Sequence, residues 1–259
     1  MEVVIAEQRE LTGLAADAVE RLVREEPSAV LGLATGSTPM PVYDELVRRH
    51  REEGLSFAGA RGFLLDEYVG LCRDHPQRYR RVISQEIVER VDWPEEQVLG
   101  PDGLAEDLPE ACACYEQSIA EAGGIDLQLL GIGTDGHVAF NEPGSSLASR
   151  TRVKSLTAQT REDNARFFDS PEEVPVHCLT QGLGTISEAR HLVLLATGEH
   201  KAPAVRQLVE GAISARWPAT VLQLHPHVTV LVDEAAASGL ELADYYRQAY
   251  ASKPEWQGI

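Results

Sequence analysis

The sequence predicts an α/β fold, with a mostly parallel sheet covered by helices on both faces. Two observations support this prediction. Short apolar runs alternate with helix-period stretches through all 259 residues, as expected for parallel strands joined by crossover helices. Most of these runs also lead directly into a polar turn that carries glycine or an acid, which is typical of strands that end at a ligand-binding edge.

The elements follow one another in a regular order. Apolar runs predict strands over residues 29–34, 63–65, 127–132, 191–196 and 228–232. Apolar residues at helical spacing predict helices over 11–23, 38–50, 76–91 and 201–210. We find no repeat or linker that would divide the chain, so residues 1–259 are expected to form a single domain, with a flap around 145–185 over one end of the sheet.

The composition excludes several classes of protein. With 43% hydrophobic and 25% charged residues, the chain is typical of a globular protein. A net charge of −18 argues against non-specific binding to nucleic acid or anionic membranes. No run approaches membrane-spanning length, and the first residues lack the basic region of a signal peptide. The four cysteines show no disulfide or zinc spacing. We expect a cytoplasmic protein.

Residues 131–143 are the most informative segment. They place Asp135, His137 and Glu142 within eight positions, directly after a predicted strand. An imidazole flanked by carboxylates can be tuned for proton transfer near neutral pH, so we expect a coupled acid–base unit. The same side chains could hold a metal ion, but one imidazole with two carboxylates would be a weak site.

Three glycines in this segment match the spacing of a dinucleotide-binding fingerprint. That fingerprint requires a helix at the third glycine and an acid about 20 positions later. Residues 137–144 are poor helix formers, and position 156 is Leu. We therefore interpret Gly131, Gly133 and Gly136 as a turn that presents the acid–base unit, and not as an NAD site.

Residues 35–39 lie between a predicted strand and a predicted helix, where hydroxyls and free backbone N–H groups suit a phosphate. The alternative is that Ser37 or Thr38 only caps the helix. The segment lacks the lysine of a nucleotide-binding P-loop. Lys201 opens another predicted helix, and Arg166 lies in the predicted flap. The candidate phosphate-binding residues are Gly36, Ser37, Thr38, Arg166 and Lys201.

Asp66 follows the predicted strand 63–65. An acid that emerges from buried apolar sequence can have a raised pKa and act as a base, although it could also cap the following turn. Similar polar turns follow three other strands, at 35–39, 134–137 and 197–201. Because the carboxyl ends of parallel strands meet at one edge of a sheet, we expect these turns to surround one crevice.

Together these segments resemble the glucosamine-6-phosphate deaminase family. The resemblance covers nearly the whole chain in unbroken order. Its motifs are LATGSTP at 33–39, LDEYVGL at 65–71, GIGTDGHVAFNEP at 131–143 and LQLHP at 222–226. DEYVGL combined with GHVAFNEP is specific to that family and is not a general loop signature.

The resemblance implies a Rossmann-like fold and an enzyme that needs no metal or organic cofactor. The family converts glucosamine 6-phosphate and water to fructose 6-phosphate and ammonia in aminosugar catabolism, which makes it a hydrolase of a C–N bond. By position, Asp66 resembles the base that moves a proton between C2 and C1. His137 resembles the residue that opens the sugar ring, with Asp135 and Glu142 orienting it.

A regulatory site is also implied by the resemblance. Some members are hexamers activated by N-acetylglucosamine 6-phosphate, whereas others are small and unregulated. Ser145, Arg152 and Lys154 match the phosphate-binding positions of the regulated members, so we expect a homo-oligomer with an allosteric site. The sequence from residue 245 onward departs from the regulated pattern.

Two other functions are compatible with parts of the sequence. A 6-phosphogluconolactonase shares the fold and a similar Gly-Asp-Gly-His turn, but that family continues with a Ser-Leu-Phe-Pro type sequence where residues 139–143 here read AFNEP. A non-catalytic sugar-phosphate sensor would normally carry a DNA-binding helix-turn-helix. This chain has neither the spare length nor the basic surface for one.

Overall fold

The computed structural model describes residues 1–259, apart from the side chain of residue 255. The strands are β1 (Glu2–Ile5), β2 (Val30–Leu33), β3 (Arg61–Leu64), β4 (Asp66–Tyr68), β5 (Val98–Leu99), β6 (Leu127–Leu130), β7 (Arg152–Ser155), β8 (His177–Thr180), β9 (His191–Ala196) and β10 (Val228–Val232). The helices are α1 (Gln8–Glu25), α2 (Met40–Glu53), α3 (Tyr79–Glu86), α4 (Leu108–Glu121), α5 (Ala158–Ala165), α6 (Leu183–Ile186), α7 (Ala202–Glu210), α8 (Glu234–Ala237) and α9 (Ala243–Ala251).

Seven of the strands form one sheet, in the order β1-β10-β9-β6-β2-β3-β5. All pairings in this sheet are parallel. Every residue of β2, β6, β9 and β10 is buried, as expected for strands covered on both faces. The predicted mostly parallel α/β fold and its five predicted strands are confirmed.

The predicted helices are confirmed with shifted ends. The apolar stripe of α1, which includes Leu11, Ala15 and Val19, is buried, and α1 packs against α2. The helix predicted over 76–91 is shorter than expected. It begins at Tyr79 and ends where Ile87 leaves helical geometry, with a φ of −139°. Within the described residues, no helix is both long and apolar enough to cross a membrane.

The remaining strands form a smaller sheet in the order β4-β8-β7, with antiparallel pairings. Its strands β7 and β8 lie in the predicted flap region, residues 145–185, together with α5. One expectation was wrong: residues 66–68 form β4 and not a turn, because their backbone pairs with β8. Local periodicity cannot show a pairing between segments this far apart in the chain.

The order of the larger sheet brings the polar segments together. They follow β2, β3, β6 and β9, and these four strands are consecutive neighbours in the order β9-β6-β2-β3. Because all four strands are parallel, their carboxyl ends lie side by side at one edge. The predicted crevice therefore lies where the smaller sheet begins, since β4 starts directly after β3.

Candidate active site

The glycines of residues 131–143 build a tight turn. The N–H of Gly133 donates to the carbonyl of His137 at 2.9 Å, and Gly136 has a φ of +82°. A Cβ on Gly133 would lie 2.2 Å from the His137 ring, so only glycine admits the imidazole there. The first α-helix after β6 is α5, which begins at Ala158. The dinucleotide interpretation is therefore excluded by geometry, as the sequence predicted.

This turn sets the imidazole of His137 beside two carboxylates. Its Nδ1 lies 2.7 Å from Asp135 Oδ1 and 3.9 Å from Glu142 Oε2. Burial raises the pKa of Asp135, but the hydrogen bonds and charge of His137 outweigh burial and hold that pKa well below its ordinary value. Because Nδ1 faces both carboxylates, Nε2 at the far side of the ring is left to face a substrate.

Glu142 is the most deeply buried member of this group, with 3% of its surface exposed. Its Oε1 accepts a 2.6 Å hydrogen bond from the Thr160 hydroxyl and a 3.3 Å bond from the Thr157 hydroxyl. Its Oε2 has no partner among the described side chains. One ligand atom from each of Asp135, His137 and Glu142 lies within 4.8 Å of the others, so this trio could also hold a metal ion.

Asp66 occupies the first position of β4 and is 6% exposed. In the part of the chain that the structure describes, no group donates a hydrogen bond to its carboxylate. Burial raises the pKa of Asp66 well above its ordinary value, and the charge of neighbouring Glu67 raises it further. A buried carboxylate with a raised pKa is suited to accept a proton from carbon. Asp66 does not cap a turn, which was the alternative.

The two groups of acids are joined across β8. Thr180 pairs with Asp66 in the small sheet, and its hydroxyl accepts from the N–H of Phe140 at 3.1 Å. The amide of Asn141 donates to the carbonyl of Gln181 at 2.8 Å. The thiol of Cys178 on the same strand has a raised pKa, first from burial and then from the charges of Asp66 and Glu142. The sheet therefore holds the Asp66 carboxylate and the turn after β6 in one arrangement.

Three aromatic residues that the sequence prediction did not include, Tyr68, Tyr79 and Phe140, form an aromatic cover near Asp66. Burial raises the pKa of Tyr68 and Tyr79, and the charge of Asp66 raises it further, which places both phenols near this carboxylate. The rings of Tyr68 and Tyr79 have centroids 4.8 Å apart, and both pack on Phe140, at 5.7 and 5.9 Å. Tyr68 and Phe140 belong to a second apolar cluster, and Tyr79 packs against both this cluster and the main core. The available signal was that Tyr68 lies in the LDEYVGL motif and Phe140 in the GIGTDGHVAFNEP motif, but local periodicity does not show that these residues and Tyr79 meet.

The loop of residues 35–39 does not serve as a simple cap. The N-cap of α2 is Pro39, with no side-chain capping bond, and Gly36 has a φ of +101°. Ser37 is exposed and Thr38 is half-buried. Their hydroxyls make no hydrogen bond within the described residues, so they are available to a ligand.

Lys201 and Arg166 supply positive charge near this edge. Lys201 immediately precedes α7, and Arg166 directly follows α5. Burial lowers the pKa of Lys201, with opposing effects from the charges of Asp163 and Asp135 and a further lowering by Arg166. These mutual effects place Lys201, Arg166 and Asp135 in one neighbourhood.

The three predicted allosteric residues lie on and before β7. Arg152 and Lys154 alternate along the strand and so share a face. Arg152 donates to Asn141 Oδ1 at 2.9 Å, which connects it to the turn that carries His137. The buried hydroxyl of Ser145 has no partner among the described groups.

Several known proteins are similar to this chain. A family model for glucosamine-6-phosphate isomerases and 6-phosphogluconolactonase matches residues 6–231. A glucosamine-6-phosphate deaminase of Mycolicibacterium smegmatis is 65% identical over 100% of both chains. A protein of the same name from Streptomyces avermitilis is 58% identical, again over 100% of both chains.

Solved structures resemble the chain at two levels. A monomeric glucosamine-6-phosphate deaminase is 44% identical with a TM-score of 0.90, over 92% of this chain and 100% of that one. A 6-phosphogluconolactonase from Trypanosoma cruzi is 24% identical with a TM-score of 0.72, over 93% of this chain and 97% of that one. The second similarity concerns the fold alone.

Proposed function

Because the chain belongs to the glucosamine-6-phosphate deaminase family, we propose that its crevice converts glucosamine 6-phosphate and water to fructose 6-phosphate and ammonia. One observation carries this proposal. A buried, unpaired carboxylate at Asp66 and a carboxylate-held imidazole at His137 are fixed together across β8. The reaction needs one group of each kind, since it transfers protons at both oxygen and carbon.

Ring opening is assigned to His137. An imidazole can take the proton from O1 of the sugar and deliver a proton to O5. The 2.7 Å contact between Nδ1 and Asp135 fixes the tautomer, so the free Nε2 exchanges these protons. Glu142, held by Thr160, sits on the same side of the ring and stabilises the protonated imidazole.

Isomerisation is assigned to Asp66. In the opened sugar, its carboxylate takes the proton from C2 and returns it to C1, while a proton passes from the nitrogen to O1, so that the amino aldose becomes the imine of a ketose. Water then adds to C2 of this imine, and loss of ammonia leaves the C2 ketone of fructose 6-phosphate. The aromatic cover of Tyr68, Tyr79 and Phe140 limits access of water to Asp66 during the carbon proton transfer.

The substrate phosphate is assigned to the loop after β2. The N–H groups at Gly36, Ser37 and Thr38 and the two hydroxyls would bind its oxygens. Lys201 and Arg166 would supply opposite charge. This arrangement separates binding from proton transfer, because none of these groups belongs to the acid–base unit.

A second proposal concerns the regulation of this activity and the assembly of the protein. We place an allosteric phosphate, that of N-acetylglucosamine 6-phosphate, at Ser145, Arg152 and Lys154, supported by the shared strand face of Arg152 and Lys154 and by the unpartnered hydroxyl of Ser145. We also propose a homo-oligomer, as in the regulated relatives. A cytoplasmic location is supported by free thiols at Cys112 and Cys178, both buried.

The test is an ammonia-release assay with glucosamine 6-phosphate, run with and without N-acetylglucosamine 6-phosphate, with light scattering of the same sample. We expect turnover without added metal or nucleotide, and activation by the acetylated sugar. Hydrolysis of 6-phosphogluconolactone with no ammonia release would support the lactonase. Tight binding of substrate without turnover would support the sensor. A monomer that ignores the acetylated sugar would remove only the regulatory layer.

A further inference from the structure

A second buried acid, Glu67, lies next to Asp66 and has no place in the reaction described above. It is 1% exposed. Its Oε1 accepts from the backbone N–H groups of Tyr68 and Tyr79, both at 2.9 Å, and its Oε2 accepts from that of Arg80 at 2.9 Å. The Nε of Arg78 lies 3.6 Å from Oε2. Both carboxylate oxygens are therefore occupied by backbone donors.

Two of these donors belong to the first turn of α3. The N-cap residue of that helix, Arg78, makes no side-chain capping bond. The exposed N–H groups at the start of a helix require acceptors. Here Glu67 supplies them from a different element, so its carboxylate fixes the start of α3 against β4.

The start of α3 carries Tyr79, which belongs to the cover over Asp66. The Tyr79 ring packs on Tyr68 and Phe140, and its hydroxyl lies 3.3 Å from that of Tyr68. A shift of α3 would therefore move this cover. Glu67 thus influences Asp66 in two ways, through the position of Tyr79 and through its own charge.

We propose that Glu67 is a positioning residue for the reaction, which holds Tyr79 over Asp66 and keeps a fixed negative charge beside the catalytic carboxylate. This inference rests on the proposed function of Asp66. Glu67 touches neither the sugar nor the reacting atoms. It acts through α3 and through the electric field at its neighbour.

The electric field at Asp66 depends on which ionised groups lie near it. The titratable groups that act on or near it are Glu67 and Tyr68 on its own strand, Tyr79 on α3, Cys178 on β8 and Tyr115 on α4. Burial raises the pKa of each phenol and of the thiol, so these groups are neutral at neutral pH. The ionised neighbour is Glu67. Burial raises the pKa of Glu67 above its ordinary value, and three N–H bonds and the charge of Arg78 oppose this rise by favouring its charged form.

The direction of the effect follows from like charges. A negative charge beside Asp66 disfavours its ionised form and so raises its pKa. Removing that charge lowers the pKa of Asp66. The acid side of the pH–rate profile, where Asp66 becomes protonated, would then move to lower pH. A weaker base would also abstract the carbon proton more slowly.

The experiment compares Glu67→Gln with Glu96→Gln in the full chain. Glu96 is exposed and makes no hydrogen bond or ion pair within the described residues, so its substitution removes the same charge without breaking a described contact. Ammonia release is measured from pH 5 to 9, giving kcat and KM separately, together with thermal melting. For Glu67→Gln we expect the acid limb to fall by about half a pH unit or more and kcat at pH 8 to fall about 5- to 50-fold. KM should stay within about threefold of its original value, since the residues proposed to bind the substrate phosphate are unchanged.

A purely structural role would lower the melting temperature and leave the acid limb in place, and that result would overturn the proposal. So would an equal shift in Glu96→Gln. Glu67→Asp provides a second measurement that stands if the glutamine variant does not fold. It keeps the charge but shortens the side chain, so we expect a lower kcat with an unmoved acid limb. If the acid limb of the pH–rate profile moves in Glu67→Asp, the charge of Glu67 does not set the pKa of Asp66. Absence of ammonia release in the unmodified protein would instead contradict the proposed function.

Discussion

Replacing Asp66 with asparagine tests the assignment of the base most directly. Asparagine has nearly the same shape but cannot accept a proton from carbon. Loss of a general base lowers rates by about 10²- to 10⁴-fold, and the buried setting of Asp66 offers no described side chain to replace it. We expect kcat for ammonia release to fall at least about 10³-fold, which corresponds to about 4 kcal/mol in the activation barrier.

Substrate binding should survive this change. The residues proposed to bind the substrate phosphate (36–38, Arg166 and Lys201) make no described contact with Asp66. The dissociation constant of fructose 6-phosphate, measured by calorimetry, should therefore stay within about threefold of its original value. Stability should rise. Asp66 is a buried acid without a donor and with a raised pKa, so its ionised form at neutral pH opposes folding. Removing the charge should add on the order of 1 kcal/mol to the free energy of unfolding.

A control and the refuting results complete this test. Asp74 is exposed, so Asp74→Asn should leave kcat, binding and melting temperature unchanged. If Asp66→Asn retains more than about a tenth of kcat, Asp66 is not the base. If kcat and the affinity for fructose 6-phosphate fall together, Asp66 acts mainly by binding the sugar.

Three further predictions follow. Asp135→Asn removes the charge from the 2.7 Å contact with His137, and kcat should fall about 10- to 100-fold, the value of a charge-assisted hydrogen bond; an unchanged kcat would contradict the orienting role. Lys201→Ala should raise KM about tenfold or more with a smaller change in kcat, measured by steady-state kinetics, because a phosphate contact contributes to ground-state and transition-state binding alike. His191, stacked on His227 with ring centroids 3.6 Å apart, has a pKa lowered to about 3, mainly by burial. It is therefore neutral when folded but gains a proton on unfolding below about pH 6.5. Stability should fall by about 1–2 kcal/mol from pH 6.5 to 5, and thermal melts of His191→Gln should show a flatter dependence; an equal slope in the variant would assign the effect to other groups.

Much of the fold could be read from local pattern. The strands 191–196 and 228–232 were predicted with the bounds that the structure shows, because continuous apolar runs of this length are typical of buried parallel strands. The interpretation of Gly133 and Gly136 as a turn was also correct. The error at residues 66–68 has a different origin. A polar segment after a strand is typical of a loop, and nothing local shows that it will pair with β8.

The sequence by itself determined which candidate catalytic and binding groups this protein has. They are a buried acid at the end of one strand, an imidazole between carboxylates after another, and hydroxyls with glycine after a third. These groups could be predicted because each depends on its neighbours in the chain and on burial, and the pattern of apolar residues indicates burial. Only the tertiary structure decided which of them meet. Strand β8 joins Asp66 to the turn that carries His137, and the Glu67 carboxylate binds the N–H groups at the start of α3. Both arrangements depend on contacts between segments far apart in the chain. Such contacts arise from the closure of the whole fold, and local periodicity does not encode them.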